Sequence, residues 1–291
     1  MAFALNQGVR IHYDSIGSTA GYPVVLLGGA GRPASDFDAL FCEPLVSAGL
    51  RVIRVDSRDT GRSDGFDHLP TDLGPVRDHA LGQGGRAPAY DVQDMAGDLQ
   101  AVLDAEEIAT CHIVGRSLGA QVAQRFAIDH PWRCSALCLI MASSRSIADR
   151  LPDAVLARLG AEWVTDGDAY VARSLATAQV NGIAADFDPA QRREEAIAAW
   201  RHGIRPGATA RHFAASMMLG DLRPALHKIK APALIVHGLH DPLLPIAMAR
   251  ETAAGLKRAR LIEREDMGHD GPDRLRRIWG DLVADFLGGL G

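Results

Sequence analysis

The sequence has few lysines, few aromatic residues and no excess of positive charge. Lysine occurs only at positions 228, 230 and 257. Aromatic residues make up 5% of the chain, and the formal net charge at pH 7 is -5. A charge of this sign and size creates no field that would concentrate nucleic acid or anionic lipid at the surface. We therefore expect neither nucleic acid nor a membrane as a partner.

Cysteine is also scarce, and long apolar runs are missing. The cysteines, which are Cys42, Cys111, Cys134 and Cys138, form no Cys-x-x-Cys pair and have no histidine cluster nearby. We therefore expect free, buried thiols. No segment approaches the roughly 18 consecutive apolar residues of a membrane span. The N-terminus lacks the basic region and the apolar stretch of a secretion signal, so we expect a cytoplasmic protein.

What the sequence does contain is an alternation of strand-like and helix-like segments. Short, largely apolar runs of the kind that form buried strands cover residues 23–27, 52–55, 111–114, 137–140 and 233–236, and residues 260–264 are predicted to form a final strand. Helical spacing between them is clearest from Val92 to Leu103. Alternation from Val9 to Tyr13 predicts an opening antiparallel hairpin that turns at Gly8. The whole pattern predicts an α/β fold, with a mainly parallel sheet and helices on both faces.

Two stretches interrupt this alternation. Residues 144–224 are rich in alanine and contain no convincing strand, so we predict a helical cap there and a core formed by residues 1–143 and 225–291. Residues 65–88 are rich in glycine, proline and aspartate and predict an irregular loop, which at that length is usually functional or mobile. Large cap side chains could line an apolar substrate pocket or simply pack the cap on the core; they are Trp163, Trp200, Phe213, Met217 and Met218.

The segment from Ile113 to Ala120, IVGRSLGA, has the pattern of a nucleophile elbow. An apolar run enters a Gly-x-Ser-x-Gly turn and leaves it as a helix. A serine in such a turn adopts a strained backbone that only small neighbours such as Gly115 and Gly119 permit, and its hydroxyl stands above the sheet. Ser117 is therefore the candidate nucleophile.

A serine hydroxyl needs a general base, and the base needs an acid that orients it. With this kind of elbow, the order along the chain is serine, acid and histidine, each in a loop after a strand. Asp241 follows the apolar run that ends at Val236, and His269 lies in a glycine-flanked loop after the last strand. The segment 142–145, after the preceding strand, offers no carboxylate. Asp241 and His269 are thus the candidate acid and base.

The oxyanion of an acyl-transfer reaction needs two backbone N–H donors, one of them from the residue after the nucleophile. Leu118 is that residue, and the second donor is predicted at Gly29 or Ala30 in the glycine-rich loop after the first parallel strand. The carboxylates around His269 lack metal-binding spacing, so we predict no metal and no other cofactor. Arg116 could bind a substrate carboxylate or pair with a buried carboxylate, and we favour the pairing.

Taken together, these residues resemble the α/β-hydrolase superfamily over nearly the whole chain. The segment from Val52 to Ser63, VIRVDSRDTGRS, is similar to the branch that contains aclacinomycin methylesterases. The resemblance implies an eight-stranded sheet with the cap inserted after the sixth strand. The sequence departs from the family pattern at Gly28-Gly29, where many members carry His-Gly, and at Arg116 before the nucleophile.

The triad and the resemblance predict a serine hydrolase that acts through an acyl-enzyme on a small to medium hydrophobic carboxylic ester. The same machinery serves carbon–carbon, amide or lactone hydrolysis and haloperoxidase-like perhydrolysis, which are the alternatives within the fold. A catalytically silent, ligand-binding member of the fold is a further alternative. The expected partner is a small-molecule ester, and a homodimer is compatible with the sequence.

Overall fold

The computed structural model describes residues 2–151, 156, 166–205 and 207–290, and an eight-stranded sheet forms their centre. The strands, in chain order, are β1 (Ala2–Asn6), β2 (Val9–Ile16), β3 (Pro23–Leu27), β4 (Arg51–Val55), β5 (Cys111–Arg116), β6 (Cys134–Ile140), β7 (Ala233–Gly238) and β8 (Ala259–Arg264). Every run that the sequence predicted as a strand is one, although the edge strand β8 has no fully buried residue. The predicted α/β fold with eight strands is confirmed.

The strands lie across the sheet in the order β1, β2, β4, β3, β5, β6, β7, β8. β1 and β2 form the predicted hairpin, in which Gln7 and Gly8 both have the positive φ of a two-residue type I′ turn. β2 also pairs antiparallel with β4, and all pairings from β4 to β8 are parallel. The chain order reverses between β3 and β5. The loops after these two strands therefore open a crevice at the carboxyl edge of the sheet, where sheets of this kind bind ligands.

Side chains of the central strands alternate between two apolar cores. In β3, Val25 and Leu27 enter one core, whereas Val24 and Leu26 enter the other. The α-helices with full bounds among the described residues are α1 (Ala39–Ser47), α2 (Gly74–Ala80), α3 (Val92–Ala105), α4 (Leu118–Asp129), α5 (Gly167–Asn181), α6 (Pro189–Gly203), α7 (Ala208–Met217), α8 (Ile246–Gly255) and α9 (Asp273–Gly288). α3, α4 and α8 contribute to the first core, and α1 and α9 to the second. Because both of its faces are covered, the centre of the sheet has strands of largely continuous apolar sequence, namely β3, β5, β6 and β7.

The described residues between β6 and β7 form α5, α6 and α7 and contain no named strand, so the helical insertion follows the sixth strand as expected. The exact limits of the cap, at residues 144 and 224, stay a prediction. Leu219, Leu222 and Leu226, which lie on both sides of the second limit, pack in the same core as α4.

The prediction of an irregular loop over residues 65–88 is wrong in part, because Gly74–Ala80 form helix α2. Its sequence begins with Gly-Pro, which is typical of a turn, yet proline is well tolerated in the first turn of a helix. Leu73 and Val76 lie in one apolar cluster with Ala210 and Ala214 of α7. This segment is therefore packed against the cap.

The cysteines agree with the expectation of free, buried thiols. All four are buried and unpaired with one another. Burial raises the pKa of Cys42 and of Cys111 to about 12, so both stay protonated near neutral pH. As for membrane spans, the described helices include none with the length and apolar character to cross a bilayer.

Candidate active site

The predicted elbow joins β5 to α4 at Ser117. Ser117 has φ 52° and ψ -115°, a backbone conformation that a residue with a side chain adopts only where its surroundings enforce it. A Cβ on Gly115 would lie 2.4 Å from the carbonyl oxygen of Gly119, and a Cβ on Gly119 would lie 2.1 Å from that of Leu27. Glycine at both positions therefore lets β5, α4 and the neighbouring strand β3 approach closely enough to form the turn.

Gly119→Ala should destabilise the protein, because the added methyl group would overlap backbone rather than a movable side chain. We expect the free energy of unfolding in urea to fall by about 1–3 kcal/mol, the usual cost of overpacking a core. Gly288→Ala is the control, since a Cβ there meets nothing within 4 Å, and its stability should stay within about 1 kcal/mol of wild type. Equal stability of the two variants would contradict the close approach at the elbow.

Three predicted side chains from three separate loops meet at the carboxyl edge of the sheet. Ser117 Oγ lies 3.0 Å from Nε2 of His269, and Nδ1 of His269 lies 2.6 Å from Oδ2 of Asp241. An ionised carboxylate only accepts hydrogen bonds, so Nδ1–H donates to Asp241 and Nε2 accepts from the serine hydroxyl. The structure thus brings the three residues together in the order that acyl transfer needs. Their catalytic roles stay a prediction.

Asp241 is buried, and its surroundings favour the ionised form. Burial alone would raise the pKa of Asp241, but His269, the backbone N–H of Leu244 and His237 together hold that pKa below its usual value. Oδ1 accepts hydrogen bonds from the backbone N–H groups of Leu243 and Leu244, at 2.9 and 2.7 Å. These bonds orient the carboxylate so that Oδ2 faces the imidazole.

The loop that carries His269 is held by the cap as well as by the core. The backbone N–H of His269 donates to the carbonyl of Asn181, at 2.7 Å, where α5 ends. Gly268 permits this contact, because a Cβ there would lie 2.2 Å from the same carbonyl oxygen. The position of the predicted base therefore depends on α5, and no sequence pattern indicated this link.

The loop after β3 lies against the nucleophile, as the predicted oxyanion hole requires. A Cβ built on Gly29 would be 3.6 Å from Cβ of Ser117, and Gly29 and Ala30 both line the adjoining cavity. Leu118 is the first residue of α4, so its N–H is among those at a helix N-terminus that have no intrahelical acceptor. Leu118, with Gly29 or Ala30, stays the predicted donor pair.

The crevice widens into a cavity of about 620 Å³ between the core and the cap. This volume lies within the roughly 300–1,000 Å³ that is usual for small-molecule sites. Ser117 and His269 share its wall with the apolar side chains Met141, Phe213 and Leu243. Charged side chains also contribute to the wall, namely Arg32, Asp36, Arg116, Arg173, Arg192 and Asp270. A mixed wall of this kind can hold an apolar group and still orient a polar one.

The large cap side chains have different positions. Phe213 lines the cavity. Trp200 packs against Tyr170 of α5, with 5.6 Å between the ring centroids. Met217 is buried in the apolar cluster to which α2 and α7 both contribute. Met218 follows the end of α7, and Trp163 lies outside the described residues. Of the side chains in this set that the structure describes, Phe213 alone is in the cavity wall.

Arg116, beside the nucleophile, forms an ion pair with Asp36, which agrees with the interpretation favoured from the sequence. Its guanidinium carbon lies 5.6 Å from the centre of the Phe37 ring. Burial lowers the pKa of Arg116 to about 9, and the guanidinium groups of Arg32 and Arg276 act in the same direction. Arg116 is still charged at neutral pH: Asp270 acts in the opposite direction and favours the charged form, and Asp36 pairs with the guanidinium group directly.

Arg116→Met should lose stability, because Asp36 would keep its charge without its main partner. Breaking a largely buried pair from one side costs about 3 kcal/mol or more, which urea denaturation should detect. The double variant R116M/D36N leaves neither charge behind and should recover most of the loss. Arg10→Met is the control and should lose much less, since its pair with Asp64 is exposed. If the double variant were no more stable than R116M, the pairing would be contradicted.

Sequence reasoning missed two residues that hold the loops of the site. One is Asn181, whose carbonyl binds the His269 loop, and the other is His212, whose Nδ1 accepts a hydrogen bond from the N–H of Gly31 at 3.0 Å. Neither belongs to a motif. The only signal for His212 was a polar residue within the alanine-rich segment ATARHFAASM.

Comparison with known proteins extends these observations. A family model described as alpha/beta hydrolase fold matches residues 22–273. Rhodomycin D methylesterase from Streptomyces peucetius is 28% identical over 292 residues, covering 91% of this chain and 90% of that protein. A Variovorax paradoxus protein named as a carbamate hydrolase is 32% identical over 288 residues, covering 95% and 96%. A solved structure of a meta-cleavage product hydrolase from Pseudomonas fluorescens IP01 has a TM-score of 0.76 at 19% identity, covering 100% and 98%.

Proposed function

The chain belongs to the alpha/beta hydrolase fold family, and on this premise we propose that it is a serine hydrolase that cleaves carboxylic esters. The observation that carries the proposal is the chain of hydrogen bonds from Ser117 through His269 to Asp241. The first two of these residues stand in the wall of a cavity large enough for a small-molecule ester.

In the proposed mechanism, Nε2 of His269 takes the hydroxyl proton as Ser117 Oγ attacks the ester carbonyl carbon. The N–H groups of Leu118 and of Gly29 or Ala30 stabilise the oxyanion that forms. The carbon–oxygen bond to the alcohol then breaks, and His269 delivers its proton to the departing oxygen. Water, deprotonated by His269 in turn, attacks the acyl-enzyme and releases the acid. Asp241 keeps the imidazole oriented and stabilises its protonated form throughout.

An ester suits this machinery because its leaving group needs one proton, which His269 can return. Carbon–carbon cleavage demands more, since the departing carbon must also be stabilised as a carbanion or an enolate. The similarity to a methylesterase supports an ester as substrate. The relative named as a carbamate hydrolase makes carbamates the first class against which an ester must be compared.

A substrate panel tests the proposal directly. It would contain p-nitrophenyl esters from acetyl to decanoyl, an aromatic methyl ester, an aryl carbamate, a prolyl anilide, a lactone and a meta-cleavage product, with peroxide-dependent halogenation assayed alongside. We expect the best ester to exceed the other classes in kcat/KM by on the order of 100-fold. We also expect the rate to pass through an optimum as the acyl group grows, because the cavity has a limited volume. A carbamate or carbon–carbon substrate that outperforms every ester would contradict the proposal.

The alternative hypothesis, that the protein binds a ligand without catalysing a reaction, has its own test. A fluorophosphonate probe reacts with an activated serine, so we expect it to label Ser117, whereas a silent receptor would stay unlabelled. The mechanism uses only side chains, backbone groups and water, and we therefore propose that no cofactor takes part. The expectations of a small-molecule partner and a cytoplasmic location complete the proposal.

A further inference from the structure

Helix α7 of the cap contacts the loop of the predicted oxyanion hole through His212. Nδ1 of His212 accepts a hydrogen bond from the N–H of Gly31 at 3.0 Å, and Nε2–H donates to the backbone carbonyl of Arg58 at 2.8 Å. The side chain is completely buried. Burial lowers the pKa of His212, which favours the neutral ring that accepts at one nitrogen and donates at the other.

The hydrogen bond to His212 acts on the peptide group that defines the shape of a tight turn. The N–H of Arg32 donates to the carbonyl of Gly29 at 3.1 Å, and Gly31 has φ 68°, the positive value that the third residue of a type II turn requires. His212 binds the N–H of the peptide between Ala30 and Gly31. Fixing this peptide group also restricts the preceding one, between Gly29 and Ala30. The N–H of that preceding group belongs to Ala30 and is a predicted oxyanion donor.

Close packing adds to the restraint from the hydrogen bond. A Cβ on Gly31 would lie 2.1 Å from Oγ1 and 3.1 Å from Cα of Thr209 in α7. On the other side of the ring, Arg58 is itself fixed, since its guanidinium forms a buried ion pair with Asp98 of α3. His212 therefore links the turn from Gly29 to Arg32 with the backbone of Arg58, whose side chain is anchored to α3.

We propose that His212 is a positioning residue for the oxyanion hole, which sets the orientation of the Gly29 to Arg32 turn and so aims its N–H donor at the oxyanion. The inference rests on the proposed serine-hydrolase function and gives the cap a part in transition-state stabilisation. Oxyanion donors act on charge that develops during the reaction, so their misplacement lowers kcat and leaves KM nearly unchanged.

The test compares variants of the same helix in the full-length protein. His212→Ala removes both hydrogen bonds, and we expect kcat for a p-nitrophenyl ester to fall about 100-fold while KM changes by less than about threefold. His212→Asn keeps an acceptor for the N–H of Gly31 and should restore part of kcat. Ser216→Ala is the matched control: it removes a buried hydrogen bond of 2.8 Å from α7 to Gln121, away from the turn, and should keep kcat.

Two further readouts separate positioning from a general loss of structure. Affinity for a trifluoromethyl ketone, which resembles the tetrahedral intermediate, should fall in step with kcat in H212A, whereas affinity for the carboxylic acid product should not. Hydrogen exchange at the amide of Gly31 should become faster in H212A than in S216A. Each kcat is calculated per active site, and the concentration of active sites is determined by titration with a fluorophosphonate. Unfolded protein is thereby excluded from the rate.

The outcomes distinguish failure of this inference from failure of the proposed function. An active wild type with unchanged kcat per site in H212A would overturn the role of His212 alone. Equal losses of kcat in H212A and S216A, or a loss that appears in KM, would overturn it as well. A wild type that neither hydrolyses esters nor reacts with the probe would contradict the proposed function, and Gly31 exchange would still decide whether His212 holds the turn.

Discussion

Ser117→Ala should lower kcat for ester hydrolysis by about 10⁴- to 10⁶-fold, the range expected when the nucleophile of a triad is removed. Alanine has no oxygen to attack the carbonyl carbon, so no acyl-enzyme forms and only slow attack by water is left. The fold should tolerate the change, because alanine is smaller than serine and the turn is enforced by the glycines around it. The measurement is kcat with the best ester of the panel, together with the urea midpoint.

Ser143→Ala provides the matched control for this variant. Ser143 is also buried and follows the neighbouring strand β6, but its hydroxyl donates to the backbone carbonyl of Arg145 at 2.8 Å. Its loss should leave kcat within about threefold of wild type. If S117A kept more than roughly one hundredth of the wild-type rate, Ser117 would not be the nucleophile.

Asp241→Asn should lower kcat by about 10³- to 10⁴-fold through the tautomer of His269. Two backbone N–H groups, from Leu243 and Leu244, already donate to Oδ1 of Asp241. The asparagine oxygen would take over that position, so its NH₂ group would face Nδ1 of His269. Nδ1 would then accept, Nε2 would carry the proton, and the imidazole could no longer deprotonate Ser117. The loss of negative charge would destabilise the imidazolium in addition.

The control for D241N is Asp266→Asn, a second carboxylate close to His269 in sequence. Asp266 pairs with Arg264 and Arg274 at the surface, so its neutralisation should leave kcat nearly unchanged. Kinetics over pH 5 to 9 would show whether D241N loses activity at every pH, as a wrong tautomer requires. Activity of D241N within about tenfold of wild type would contradict the role assigned to Asp241.

The sequence predicted those parts of the fold in which the position of a segment in the structure determines a recognisable pattern of residues along the chain. Strands covered on both faces have continuous apolar sequences, and α3 buries Met95 and Leu99 at the helical spacing that the sequence shows. The elbow could be recognised because the turn has a steric requirement for glycine. Asp241 and His269 could be found because their order along the chain, after particular strands, is itself part of the pattern.

The parts that the sequence did not predict depend on contacts between distant segments. The pairing partner of Arg116 is Asp36, in the loop after β3, and nothing local connects the two. His212 lies in an alanine-rich segment that carries no recognisable motif, and the packing of α7 on the turn buries it completely. α2 was missed because it is short and begins with residues typical of turns. For Arg116 and His212, the missing information was which distant segments come into contact.

The central claim, that Ser117 carries the acyl group during hydrolysis, is tested most directly by trapping the intermediate. The protein would be mixed with the best p-nitrophenyl ester, quenched in acid within the first turnovers, and its mass measured intact and after proteolysis. The mechanism predicts a stoichiometric mass increase equal to the acyl group, located on Ser117 and missing from S117A. Hydrolysis that proceeds with no adduct, or with an adduct on another residue, would contradict it.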